Sequence, residues 1–179
     1  MKRYITCIVF LGLSYLPAYS QNITAAFPAK LQVYFMKTDG TQAIMSSEKL
    51  SVAYDQLKMT GELMINTLES DDASLKSLLD SAAYDKITFA GIIPEGQFVF
   101  QSTMNNRFSV ESEILYGELQ SRILISYDIN NRNTSNSNTF DITCTGSISL
   151  SENLGITRNT GLDDKVSFQF FQNVQTKTY

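Results

Sequence analysis

The chain has no histidine and no tryptophan, and only three prolines and two cysteines in 179 residues. Without histidine there is no Ser-His-Asp or Cys-His arrangement, no imidazole acid–base chemistry and none of the common zinc sites. Cys7 lies in an N-terminal segment expected to be removed, which leaves Cys144 alone. A single cysteine forms no intramolecular disulfide, so the core has to hold the fold. Cys144 alternates with apolar neighbours and reads as a small buried hydrophobe, not a reactive thiol. An apolar run long enough to cross a bilayer is also missing, since Ile5 to Leu16 is too short.

That run has the form of an export signal. Lys2 and Arg3 precede it, Pro17 follows it, and Ala18-Tyr19-Ser20 is a small-x-small cleavage site before Gln21. Cleavage is expected after Ser20, giving a periplasmic or secreted chain, and no cysteine follows the cut to carry a lipid anchor. The mature stretch 21–179 suits one domain with a substantial core and contains no transmembrane segment. Losing Lys2 and Arg3 moves the formal charge from −4 to −6. An acidic chain without a basic stripe is a poor binder of nucleic acid or of an anionic membrane surface. Asn22 and Asn133 each open a glycosylation sequon, which matters only in a eukaryotic host.

Two-residue alternation dominates what remains. Leu31, Val33 and Phe35 share a face in the stretch 30–37, and Asp39-Gly40 turns the chain back into 41–46. Strands follow over 48–60, 61–66, 86–93, 97–103, 107–116, 121–129, 139–150 and 165–174, with Asn130 to Asn138 expected as a polar, mobile loop and 153–164 as a loop. The clearest pattern places Phe140, Ile142, Cys144, Gly146, Ile148 and Leu150 on one face. Consistent alternation means sheets with one buried face. So many strands in one small domain close either as a barrel or as a two-sheet sandwich. Long strands with hairpin-length turns favour an antiparallel up-and-down barrel of about eight strands, wide enough for one small ligand.

One helix interrupts this all-β reading. Leu75, Leu78, Leu79 and Ala82 fall at helical spacing, and Ser70, Asp71 or Asp72 can cap the helix start. Asp72 and Lys76 have the order of an i,i+4 pair. A helix this short is marginal alone and has to dock its leucine face on the end or flank of a sheet.

Little in the chain can carry chemistry. Asp71-Asp72 and Asp163-Asp164 are the only adjacent acid pairs, and they read as a helix start and a turn rather than as calcium ligands or an acid/base couple. No cofactor and no metal are expected. The phenylalanines in the strands fit either an aromatic core or the lining of a ligand cavity.

The order of INTLES, DDASLKSLL, DSAAYD and KITFAG resembles the YceI-like family, as does the tail TFDITCTGSISLSENLGI followed by DDKVSFQF. The opening tryptophan strand of that family is absent, and Ala82-Ala83-Tyr84 stands where it has an aromatic pair. The resemblance implies an exported, lipocalin-like barrel that binds polyisoprenoids. The expected function is therefore non-enzymatic binding of an apolar isoprenoid- or lipid-like ligand. The expected lumen residues are Leu63, Ile65, Ile87, Phe89, Phe98, Phe100, Phe108, Phe140, Ile142, Phe168 and Phe170, with the 72–80 helix shaping one end. A homodimer is compatible with this reading. The alternative is an envelope or secreted interaction module with a filled core. A cavity isomerase using Tyr or Asp ranks third, because alternation places most carboxylates on the polar face.

Overall fold

Pairing each hairpin with the next builds the sheet. The computed structural model describes residues 23–25, 28–55, 58–94, 106–134, 137–157 and 161–176. Its strands are β1 (Ile23–Ala25), β2 (Ala29–Met36), β3 (Gln42–Asp55), β4 (Lys58–Met64), β5 (Lys86–Ile92), β6 (Asn106–Tyr116), β7 (Leu119–Thr134), β8 (Ser137–Ser149) and β9 (Lys165–Thr176). All pairings between them are antiparallel, and consecutive strands from β2 to β9 are neighbours. The ring closes where β9 also pairs with β2, Leu31 opposite Phe170 and Val33 opposite Phe168. The result is a closed eight-stranded barrel, with β1 added on the far end of β9. Closure removes the sheet edges and decides between barrel and sandwich.

Alternation selects the inward faces. Val110, Ile114 and Tyr116 of β6, Ile123, Ile125, Tyr127 and Ile129 of β7, and Phe140, Ile142 and Cys144 of β8 are all buried. The inward phase slips once, in β3, where Met45 and Ser47 are followed by Leu50, Val52 and Tyr54. A register shift between Ala29 and Leu31 on β2 matches it, Ala29 facing Leu50 and Leu31 facing Ser47. One extra residue on β3 is the cause, and such a bulge bends the strand around the barrel.

The stretch 48–60, expected as one strand, is divided between the end of β3 and the start of β4, which pair antiparallel with each other. Two further stretches depart from the sequence pattern. Of Asn130 to Asn138, expected as a mobile loop, residues 130–134 and 137–138 are instead paired strand, with Asn130 opposite Asp141 and Thr134 opposite Ser137. Backbone pairing does not need apolar side chains, and here Arg132 makes an ion pair with Asp141 while Asn173 Nδ2 donates to Asp141 at 2.8 Å. The second departure is a helix, α2 (Leu150–Leu154), where the alternation predicts a strand end and then a loop. Ser149 caps it by accepting from Glu152 N–H at 3.0 Å, and Gly155 ends it in the left-handed region at φ 66°. Asp164 accepts from the Ser149 hydroxyl at 2.5 Å and from Ser151 N–H at 2.8 Å. The Asp163-Asp164 pair therefore supports a helix start.

The expected helix is present as α1 (Ala73–Asp80). Asp72 caps it, accepting from the N–H groups of Ser74 at 2.9 Å and Leu75 at 3.3 Å. The charge partner of Asp72 is Lys37 on the β2–β3 turn, at 2.5 Å, rather than Lys76. Eight residues are too few for an independent helix, so docking supplies the stability. Leu75 is wholly buried, and Leu78 and Leu79 pack on the core. Leu75→Ala is expected to cost about 2–5 kcal/mol, as large-to-small core changes do. Hydrogen exchange should register the loss first, as faster exchange of the 73–80 amides than of the β7 and β8 amides.

Burial also sets a pH signature. It raises the phenols of Tyr54 and Tyr127 and the thiol of Cys144 above their ordinary values of 10.0 and 9.0. The unfolded chain ionises these groups first, so their contribution is complete below pH 9 and is lost as pH climbs beyond 9 to 10. At the acid end Lys37 lowers the Asp72 carboxyl and the Ser149 hydroxyl lowers that of Asp164, each below 3.8. That contribution is present above pH 4 and lost on acidification. Urea midpoints measured against pH should give a plateau between these limits. A midpoint still rising from pH 9 to 11 would contradict the buried phenols.

Candidate functional site

The barrel interior divides along its length. At the end away from the helices, Tyr54, Met59, Ile93, Val110, Phe140, Ile142 and Val174 fill the space. Phe108 stacks on Tyr127, centroids 5.0 Å apart and planes 7° from parallel. The Tyr127 hydroxyl donates to Met59 Sδ, and Gln172 Nε2 donates to the Val52 carbonyl at 3.1 Å.

The other half holds a cavity of about 130 Å³. Its walls are Leu31, Val33 and Phe35 of β2, Met45 and Leu50 of β3, Leu63 of β4, Ile87 and Phe89 of β5, Ile114 and Tyr116 of β6, Ile123 and Ile125 of β7, Ile148 of β8, and Phe168 and Phe170 of β9. Leu78, Leu79 and Ala82 cover it from the α1 side, Ile65 and Leu68 from the segment before α1, and Leu150 and Leu154 from α2 with Ile156 just after it. Tyr116 is the one residue of this lining with a polar side chain.

Two cross-strand pairs make the room. Gly61 lies opposite Phe89 and Gly146 opposite Phe168. A Cβ at either glycine would overlap the facing ring, so each phenylalanine lies flat over its neighbour's backbone. Phe89 and Phe170 then meet at 5.8 Å between centroids with planes tilted by 38°.

The cover closes a gap in the wall. Upper β3 pairs with β2 alone, because the β4 pairing begins only at Ser51 opposite Glu62. The chain after β4 spans that gap as a 3-10 turn, Ile65–Thr67, and a two-way backbone bridge between Ser46 and Glu69 at 2.9 and 2.8 Å. Ser70 Oγ donates to the Ile44 carbonyl at 2.7 Å. Beyond α1, the Tyr116 hydroxyl accepts from the N–H of Ala83 at 3.1 Å and of Tyr84 at 3.4 Å. The α1 cover is thus tied down on both sides by polar contacts while its leucines face the cavity.

No protein-family model matches the sequence, and no curated protein matches it in sequence. Solved structures do match the fold. A polyisoprenoid binding domain from Saccharophagus degradans, implicated in plant cell wall breakdown, superimposes with a TM-score of 0.68 at 9% identity, over 88% of this chain and 99% of that one. The YCEI protein of Campylobacter jejuni gives 0.53 at 11% identity, over 99% of this chain and 100% of that one. The fold is YceI-like. BcnA of Burkholderia cenocepacia also matches, with a TM-score of 0.54 at 13% identity over 81% and 95% of the two chains.

Within this YceI-like barrel the residues expected in the lumen separate into three sets. Leu63, Ile65, Ile87, Phe89, Phe168 and Phe170 line the cavity. Phe108, Phe140 and Ile142 point inward but pack at the other end, outside the lining, with Phe140 2% and Ile142 0% exposed. Phe98 and Phe100 lie outside the described residues. Sequence reasoning passed over Ile114, Ile123, Ile125 and Ile148, whose alternation is as clear as that of the phenylalanines, and also Tyr116 at the end of its strand. Among the described residues, no group of three carboxylates or cysteines is placed to hold a metal, and no helix is long and apolar enough to cross a membrane.

Proposed function

We propose that the chain is an exported, non-enzymatic binder of an apolar isoprenoid- or lipid-like chain, held by residues 21–179 acting as one domain after cleavage at Ser20. The observation that carries this reading is the cavity, roofed by helices and lined by aliphatic and aromatic side chains with a single hydroxyl among them. A dry apolar cavity of about 150 Å³ admits a guest of benzene size. The 130 Å³ here accordingly takes about one branched unit of a chain with the lining at rest. A longer chain enters by displacing the α1 leucines, which are carried on an eight-residue helix that depends on docking for its stability. Each Å² of apolar guest surface buried is worth about 25 cal/mol before ordering costs, so no charged anchor is required. Leu63, Ile65, Ile87, Phe89, Phe168 and Phe170 are the contacts proposed for the guest.

Organic extraction of purified protein followed by mass spectrometry should release an apolar chain, and the stripped protein should bind polyprenyl lipids saturably. Absence of both would remove the proposal. A filled-core interaction module, the competing reading, predicts no such cavity.

A further inference from the structure

The outer wall of the barrel carries a hollow of about 290 Å³ across β3, β4, β5 and β6. Register explains it. Ser51, Glu62, Thr88 and Leu115 form one cross-strand row, and Ala53, Thr60, Ala90 and Glu113 form the next, so short side chains make up most of the floor. Longer side chains flank these rows, Met64 opposite Lys86 on one side and Lys58 opposite Ile92 on the other. The hollow is therefore a trough across the strands, its two walls about 20 Å apart between Cα atoms.

Apolar exposure gathers on the same side. Of the nine exposed large hydrophobic residues among the described ones, Met64, Ile92, Leu115 and Leu124 lie on the outer face of β4 to β7. Ile92, 75% exposed, and Leu124, 59% exposed, are the highest of the nine. Grouped apolar exposure beside a concavity marks an interaction surface, as scattered single residues do not. Charge narrows the choice of partner. The chain is acidic overall, so two copies repel each other in most approaches. On this face Lys58, Lys86 and Arg122 balance Glu62, Glu111 and Glu113. Lys86 pairs with Glu62 at 3.1 Å and Arg122 with Glu111 at 3.3 Å. Among the described residues Lys58 has no ion-pair partner, and Glu113 is held by Gln120 Nε2 and by no cation. These two opposite charges stand on either side of β5, Lys58 opposite Ile92 and Glu113 opposite Ala90.

We propose that this outer face joins two copies of the chain. A two-fold contact is self-complementary, so each residue pair across it occurs twice. An axis crossing β5 between Ala90 and Ile92 sets Lys58 of each copy against Glu113 of the other. It also brings the two Ile92 side chains together beside the troughs. Only outward side chains take part, so the contact stands apart from the cavity on the inner face.

Sedimentation velocity of the purified chain, from micromolar to millimolar concentration, should show monomers passing to dimers. Lys58→Glu sets a carboxylate against Glu113 of the second copy, and Glu113→Lys sets an ammonium against its Lys58. Each variant alone should dimerise at least about tenfold more weakly than wild type, because like charges facing across a contact are costly. An equal mixture of the two variants restores opposite charges at both contacts, and its mixed dimer should recover wild-type strength. Ile44→Ser, on the exposed face of upper β3, should leave the dimer as it is. A measurement on wild type alone guards against a variant that does not fold: the Ile92 methyl signal should move with protein concentration while that of Ile44 stays in place. A chain that is monomeric at every concentration overturns the proposal. So does a dimer that both charge variants leave intact, or one that the mixture fails to restore.

Discussion

Gly61→Val is expected to destabilise the barrel by about 1–3 kcal/mol, the usual range for overpacking, and to abolish binding of apolar probes. Gly61 is paired with Phe89, whose ring occupies the volume that any side chain at 61 would need. Displacing the ring pushes it into the cavity it lines, toward Phe170. Phe89→Leu in the same chain removes the conflict, so the double variant should recover most of the lost stability, with a coupling of about 0.5–3 kcal/mol. Urea midpoints of the two single variants and the double variant measure this. Additive effects would show that Phe89 does not depend on the glycine.

The second large effect comes from filling the cavity. Ile148→Trp adds an indole where the lining leaves about 130 Å³ free. Affinity for an apolar chain should fall at least tenfold, which is about 1.4 kcal/mol, while stability stays within about 1 kcal/mol because the added atoms occupy empty space. Ile44→Trp, on the exposed face of β3, should leave binding unchanged. Unchanged affinity in Ile148→Trp would place the binding site elsewhere. A loss of stability large enough to unfold the chain would show that Ile148 belongs to a filled core.

The barrel is legible in the sequence because period-2 alternation runs through most of β2 to β9, interrupted at the β3 bulge and at the polar end of β7, and the helix because Leu75, Leu78 and Leu79 break that period next to a capping Asp72. Less legible is anything that depends on what lies across the barrel. Leu150 to Leu154 is too short for a helical period to show, and its start is secured by Asp164, distant in sequence. Asn130 to Thr134 carries no apolar signal, and its pairing is set by the partner strand. Within the site, phenylalanines are conspicuous in a sequence, but their height along the barrel is set by register. Register is what sends Phe140 to the packed end and Phe168 to the cavity. The same geometry gives Gly61 and Gly146 their meaning, since neither glycine reveals its partner ring in the linear chain.

Isoleucine methyl spectra of stripped protein titrated with a polyprenyl alcohol test the central claim most directly. The cavity account predicts shifts at Ile87, Ile114, Ile123, Ile125 and Ile148, which line the cavity, with Ile129 and Ile142 at the packed end and exposed Ile44 and Ile92 left in place. Saturable shifts confined to Ile44 and Ile92, or none at these five strand isoleucines of the lining, would contradict it.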